Sequence, residues 1–149
     1  MPEHSPLPLL IDLAHNDRDA IMRQFGTAQR LLSDNEAQLQ SLQAYQTEYL
    51  ARLNRTSHSG ASQLRNFHAF LVKLETAVAQ QAAAVEQHRQ RTKALGEELT
   101  QINMKIKSFE VLLDKRKLVA LQKTRRNENK LEDEHAARMV RSSLAVGTQ

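Results

Sequence analysis

The chain has 149 residues, a net charge of +4 and no Cys, which excludes disulfides and thiol-ligated metals. Aromatics make up 4% and Trp is absent, too little bulky side chain for a large globular core, yet 40% of residues are hydrophobic. Leu, Ala, Val and Ile mixed with Gln, Glu, Lys and Arg is the composition of long amphipathic helices, not of a disordered chain.

The opening MPEHSPLPLLIDLA lacks a basic n-region and a proper apolar h-region, so no signal peptide is expected. No later run approaches the roughly 20 apolar residues that cross a bilayer, so no transmembrane segment is expected either. The expectation is a cytoplasmic protein. All three prolines, Pro2, Pro6 and Pro8, precede residue 9, and Pro8 suits the first turn of a helix, where its missing N–H does no harm. Gly26 and Gly96 lie inside strong helical patterns, at a cost of about 1 kcal/mol each relative to Ala. The cluster from Asn54 to Ser62, around Gly60, is the one convincing turn signal after the N-terminus. A single coiled-coil domain over residues 1–149 is expected. It has helix one at about 9–56, a turn at 57–61, helix two at about 62–142 and flexible ends.

In helix one, alternating steps of three and four visit Ile11, Ala14, Arg18, Ile21, Phe25, Ala28, Leu32, Asn35, Leu39, Leu42, Gln46, Tyr49 and Leu53. In helix two the same walk visits Phe67, Leu71, Leu74, Val78, Gln81, Val85, His88, Thr92, Leu95, Leu99, Ile102, Ile106 and Phe109. Ten of thirteen are apolar in each, and a 3.5-residue period held this long makes a coiled-coil seam. Folding the chain back at Gly60 pairs residues whose numbers sum to 120, such as Leu53 with Phe67, Leu42 with Val78 and Phe25 with Leu95. The polar exceptions Arg18, Asn35, Gln46, Gln81 and His88 never pair with one another, so each is expected against an apolar partner. The fold class is all-α: a long antiparallel two-helix coiled coil. One layer past Ile11–Phe109 would pair Leu7 with Leu113, between two prolines where helix one is expected to end. The next positions of the second walk are Arg116, Ala120, Lys123, Asn127 and Lys130, so the stripe fails where its partner ends. Helix two is expected to project beyond helix one, and a lone helix is marginal in water without a partner.

Catalysis is not expected. The six His include no i, i+4 pair, Asp17 and Asp19 lack the rest of a calcium loop, and four scattered Gly make no phosphate-binding loop. No metal and no cofactor is expected. Charge is uneven: residues 1–60 carry five basic and seven acidic side chains, and residues 61–149 carry sixteen and ten. Between Lys115 and Lys130 stand seven bases (Lys115, Arg116, Lys117, Lys123, Arg125, Arg126, Lys130) against one acid, Glu128. Three readings fit: a solvated helix face, a nucleic-acid contact, or docking into an acidic protein cavity. The nucleic-acid reading lacks stacking aromatics and any known motif.

Beside the turn, Gln38, Leu42, Tyr45 and Tyr49 on helix one face Phe70, Leu74, Ala77 and Gln81 on helix two. Tyr45 and Phe70 lie off the seam and are expected to be substantially exposed. Clustered exposed aromatics favour an interaction site, the alternative being a widened seam that stiffens the tip.

Leu42-Gln43-Ala44-Tyr45-Gln46-Thr47-Glu48-Tyr49 with Leu53-Asn54 resembles the "YQ-x-EY…LN" segment of the flagellar export protein FliJ family. The run from Phe70 to Gln81 is similar to that family's "F-x-x-x-LE-x-A-[IV]-x-Q" segment, and the tail Asp133-Glu134-x-Ala136-x-Arg138 fits as well. The resemblance covers roughly residues 10–141 and departs from the family in lacking the Trp that members often carry in helix two. It implies a non-enzymatic adaptor or stalk of flagellar type III secretion, at the cytoplasmic face of the inner membrane. The implied partners are the export ATPase hexamer, the membrane export-gate protein and export chaperones, with no nucleic acid. Gln38, Leu42, Tyr45, Tyr49, Phe70, Leu74, Ala77 and Gln81 would form the gate-binding surface. The projecting helix with the start of helix one would form the stalk end, with the seven bases on the ATPase ring. The equivalent stalk of a virulence secretion system and a basic nucleic-acid-binding coiled coil are the alternatives.

Overall fold

The computed structural model describes residues 5–55 and 60–147. It contains two helices, α1 (Leu7–Arg55) and α2 (Ala61–Gly147), packed antiparallel as an all-α coiled-coil hairpin. The chain divides into two compact units: Asn16–Asn103, and the flanking stretches up to His15 and from Met104 onward.

Helix α1 starts earlier than the prolines suggested. The Leu10 N–H donates to the Pro6 carbonyl at 3.0 Å, and the Ser5 hydroxyl oxygen accepts from the Leu7 N–H at 3.3 Å. Pro8 falls within the first turn, where its missing N–H would have no intrahelical acceptor and a φ near −65° is already helical. The chain therefore gains another layer: Leu7, placed at the expected limit of helix one, is 3% exposed. The expected turn at 57–61 lies mostly outside the described residues. Its last two positions open α2, where the Gly60 carbonyl accepts from Gln63 and Leu64 at 3.1 and 3.2 Å. Arg52 and Arg55 stand in the last turn of α1, where cations complement the exposed carbonyls. Helix α2 runs on to Gly147 rather than stopping near 142, since no Pro interrupts it.

In the unit Asn16–Asn103 the buried residues are Ala28, Leu74, Val85 and Leu95. In the other unit they are Leu7, Ile11, Ala14 and Ile106. All thirteen positions of each 3–4 walk are buried or half-buried, including the polar ones. A two-helix seam cannot enclose a side chain completely, so partial burial is the rule. In one respect the seam departs from expectation: its polar residues are not all set against apolar partners. The Gln81 amide donates to both the backbone carbonyl and Oδ1 of Asn35, each at 3.0 Å, while Asn35 Nδ2 donates to the Leu31 carbonyl at 2.7 Å. These residues belong to adjacent layers, and the long Gln side chain spans the step between them. A mispaired register would take the Gln81 amide away from both Asn35 oxygens in a half-buried seam, so the bond favours this register. Arg18, also at a seam position, reaches Asp19 at 3.4 Å, but its Nε is buried without a hydrogen-bond partner among the described residues.

The two mid-helix glycines are not equivalent. A Cβ at Gly26 would meet nothing within 4 Å, whereas one at Gly96 would lie 3.3 Å from the Phe25 ring. Gly96 thus gives room to the aromatic of the Phe25–Leu95 layer. Gly26→Ala should raise stability by about 0.5–1 kcal/mol, because only the helix propensity changes. Gly96→Ala should fall short of that gain by about 0.5 kcal/mol or more, because the ring must move. Urea unfolding of the two variants side by side checks this, and equal gains would show that Phe25 does not need the space.

Candidate functional site

Within the unit Asn16–Asn103, the residues singled out beside the turn do converge. Tyr49 lies at the centre, its ring 5.3 Å from Phe67 and 4.6 Å from Phe70, centroid to centroid. Tyr45 stands 6.2 Å from Phe70, edge to face, and 6.4 Å from Tyr49. Four rings linked through Tyr49 make one aromatic cluster, and tilted pairs at this spacing add to simple burial. The cluster is open on one side: Tyr45 is 45% and Phe70 38% exposed. Gln38 is exposed as well, and a shallow groove lined by Ala37, Gln38, Ser41 and Leu42 continues the surface. Leu42, Tyr49, Ala77 and Gln81 are half-buried. Leu74 differs, being 6% exposed within the seam, and Gln81 is committed to Asn35. The accessible part of the eight-residue set is therefore Gln38, Tyr45 and Phe70.

The two flanks of the seam differ in chemistry. On one, Arg89 of α2 reaches Glu36 of α1 at 3.5 Å and Glu86 of its own helix at 2.8 Å. Hydrogen bonds from Gln90 and then Arg89 hold the fully exposed Glu86 carboxyl below its usual range. On the other flank, Leu31, Gln38 and Tyr45 recur every seven residues, and Leu31 is 44% exposed. Leu31 was not singled out from the sequence. Its signal was the seven-residue spacing from Tyr45, which places it on the same flank.

In the other unit, every residue from Asp114 to Gly147 is exposed. All seven bases between Lys115 and Lys130 lie in this stretch, and none of them has an ion-pair partner among the described residues. Among the described residues, Arg116 is the one of the seven that hydrogen-bonds to the start of the chain, donating from Nη1 to the Ser5 hydroxyl oxygen at 2.7 Å. That bond ties the N-terminal cap of α1 to the last place where α2 has a neighbour. It was not foreseen, because a Ser preceding a proline gives no hint of a partner so distant in sequence.

The architecture defines the class: an all-α, antiparallel two-helix coiled coil whose second helix runs on beyond Leu113 with every described residue exposed. The sequence matches the family described as Flagellar FliJ protein over residues 3–145, nearly its whole length, and the chain belongs to that family. Membership associates it with flagellar type III protein export, in a family of non-enzymatic export components. Comparisons with curated proteins and with solved structures found no match. No helix among the described residues is long and apolar enough to cross a membrane.

Proposed function

We propose that this chain is the adaptor and stalk of the flagellar export apparatus, promoting assembly of the export ATPase ring and linking it to the export gate and export chaperones. It works in the cytoplasm, peripheral to the inner membrane at the flagellar base. One observation carries the reading: α2 continues to Gly147 with every described residue beyond Leu113 exposed, and the seven bases from Lys115 to Lys130 have no ion-pair partner among the described residues. A long single helix left open to water gains from a partner that covers it. The unpaired bases suit a ring opening lined by acidic or polar groups. The aromatic cluster at Tyr45, Tyr49 and Phe70 suits the gate protein, because it presents aromatic area without charge.

A stalk that binds the hexamer better than the monomer shifts assembly by mass action. Adding the protein should lower the ATPase concentration at which activity rises. Replacing Lys115, Arg116, Lys123, Arg125 and Arg126 by Gln should weaken that effect, most strongly at low salt. An activity curve unchanged by wild-type protein would remove the stalk reading. Equal curves for wild type and variant would leave the bases as a solvated face.

A further inference from the structure

The seven bases of the extension are not spread evenly round the helix. At about 100° per residue, Lys115, Arg116, Lys123, Arg126 and Lys130 fall within about 100° of arc, while Lys117 and Arg125 point to the far side. Val119 lies in the middle of that arc and is 62% exposed. Lys115, Arg116, Val119 and Ala120 line a shallow depression on the surface. The spacing Arg116, Val119, Lys123, Arg126, Lys130 alternates threes and fours, so this face follows α2 as a straight stripe. It shares Arg116, Lys123 and Lys130 with the continuation of the seam walk and is offset from it by Val119 and Arg126, which stand beside Ala120 and Asn127. The nearby acids Glu128, Glu132, Asp133 and Glu134 form no ion pairs with these bases among the described residues.

We propose that this one face, with Val119 at its centre, is the docking surface of the extension, and that Lys117 and Arg125 remain solvated. The inference rests on the reading that the extension engages the export ATPase, and it names which side does so. The partner surface it fits is an acidic protein wall: carboxylates spaced along a helix or groove, flanking an apolar patch that receives Val119. An apolar centre within a charged border is the anatomy of a protein–protein contact, and it is not what a phosphate backbone requires. Within the ring opening, the extension would then meet one wall through this face.

The test removes equal charge from opposite faces of the full-length protein. Lys123→Gln with Arg126→Gln clears part of the proposed face, and Lys117→Gln with Arg125→Gln clears the far side. Gln keeps helix propensity nearly constant, so circular dichroism should match wild type in both. Arg116 is left intact because of its bond to Ser5. Binding to the purified export ATPase, followed by light scattering or fluorescence anisotropy, should weaken about tenfold for the first pair and less than about twofold for the second. Val119→Ser should weaken binding in the low-salt and high-salt limits alike, since it carries no charge. Equal losses for the two pairs would overturn the one-face assignment while leaving charge-driven docking in place. No loss for either pair would overturn both. Wild-type protein that binds duplex DNA at physiological salt, with the same face dependence, would overturn the acidic-wall assignment in favour of a nucleic acid.

Discussion

Leu95→Ala should lower the unfolding free energy by about 2–4 kcal/mol, whereas Leu118→Ala should change it by less than about 0.5 kcal/mol. The two substitutions delete the same atoms. Leu95 is 5% exposed in its seam layer, with the Phe25 ring alongside at Gly96, and removing it leaves a gap that two stiff helices cannot close. Leu118 is 55% exposed on the unpaired part of α2, so its removal takes little apolar area out of contact. Urea unfolding followed by far-ultraviolet circular dichroism reads the helices of both units, so the two variants are compared on one signal. A loss at Leu118 comparable to that at Leu95 would mean that the extension is covered in the free protein.

Tyr45→Ala combined with Phe70→Ala should abolish binding to the export-gate protein and leave helicity nearly intact. Both side chains are more than a third exposed, so most of what they offer is contact area for another molecule. The substitutions are not free of structural cost. Phe70 lies 4.6 Å from Tyr49 and 6.2 Å from Tyr45, and such pairs contribute about 0.5–1.5 kcal/mol beyond burial. Tyr49 and Phe67 remain in place 5.3 Å apart, and the seam layers beneath are untouched, so the hairpin should hold. Binding must therefore be measured well below the melting temperature of the variant. Leu50→Ala is the control: it is an exposed apolar residue near the turn but on the other flank, at 39% exposure. Gate binding by the double variant at wild-type affinity would reduce the cluster to a stiffening device. A loss shared by Leu50→Ala would spread the interface round the whole tip.

The proposed surfaces differ in how much of them could be read from residue order. The basic run from Lys115 to Lys130 is plain in the sequence, because charge accumulates locally whatever the fold. That its residues are exposed followed from the failure of the apolar walk after Phe109. The aromatic cluster was half legible. Its members could be named from helical spacing and the pairing at Gly60, but Leu74 turned out to be buried and Leu31 to be an exposed neighbour on the same flank. Whether a position beside the seam faces the partner helix or water depends on a rotation of a few tens of degrees, and spacing in threes and fours does not resolve that.

Residue order alone determined the two helices and the antiparallel pairing, and placed the end of the pairing to within one layer. Each is written redundantly, in a walk of thirteen positions per helix and in prolines confined to one end. No single deviation could mask such a signal. Tertiary structure decided the features that rest on one side chain reaching another over a few ångströms. Gln81 spans a layer to Asn35, Arg116 bonds the cap of α1, Arg89 makes one flank ionic, and Gly96 yields space to Phe25. These contacts depend on side-chain length and rotamer and on the local approach of the two helices, which a one-dimensional period does not record.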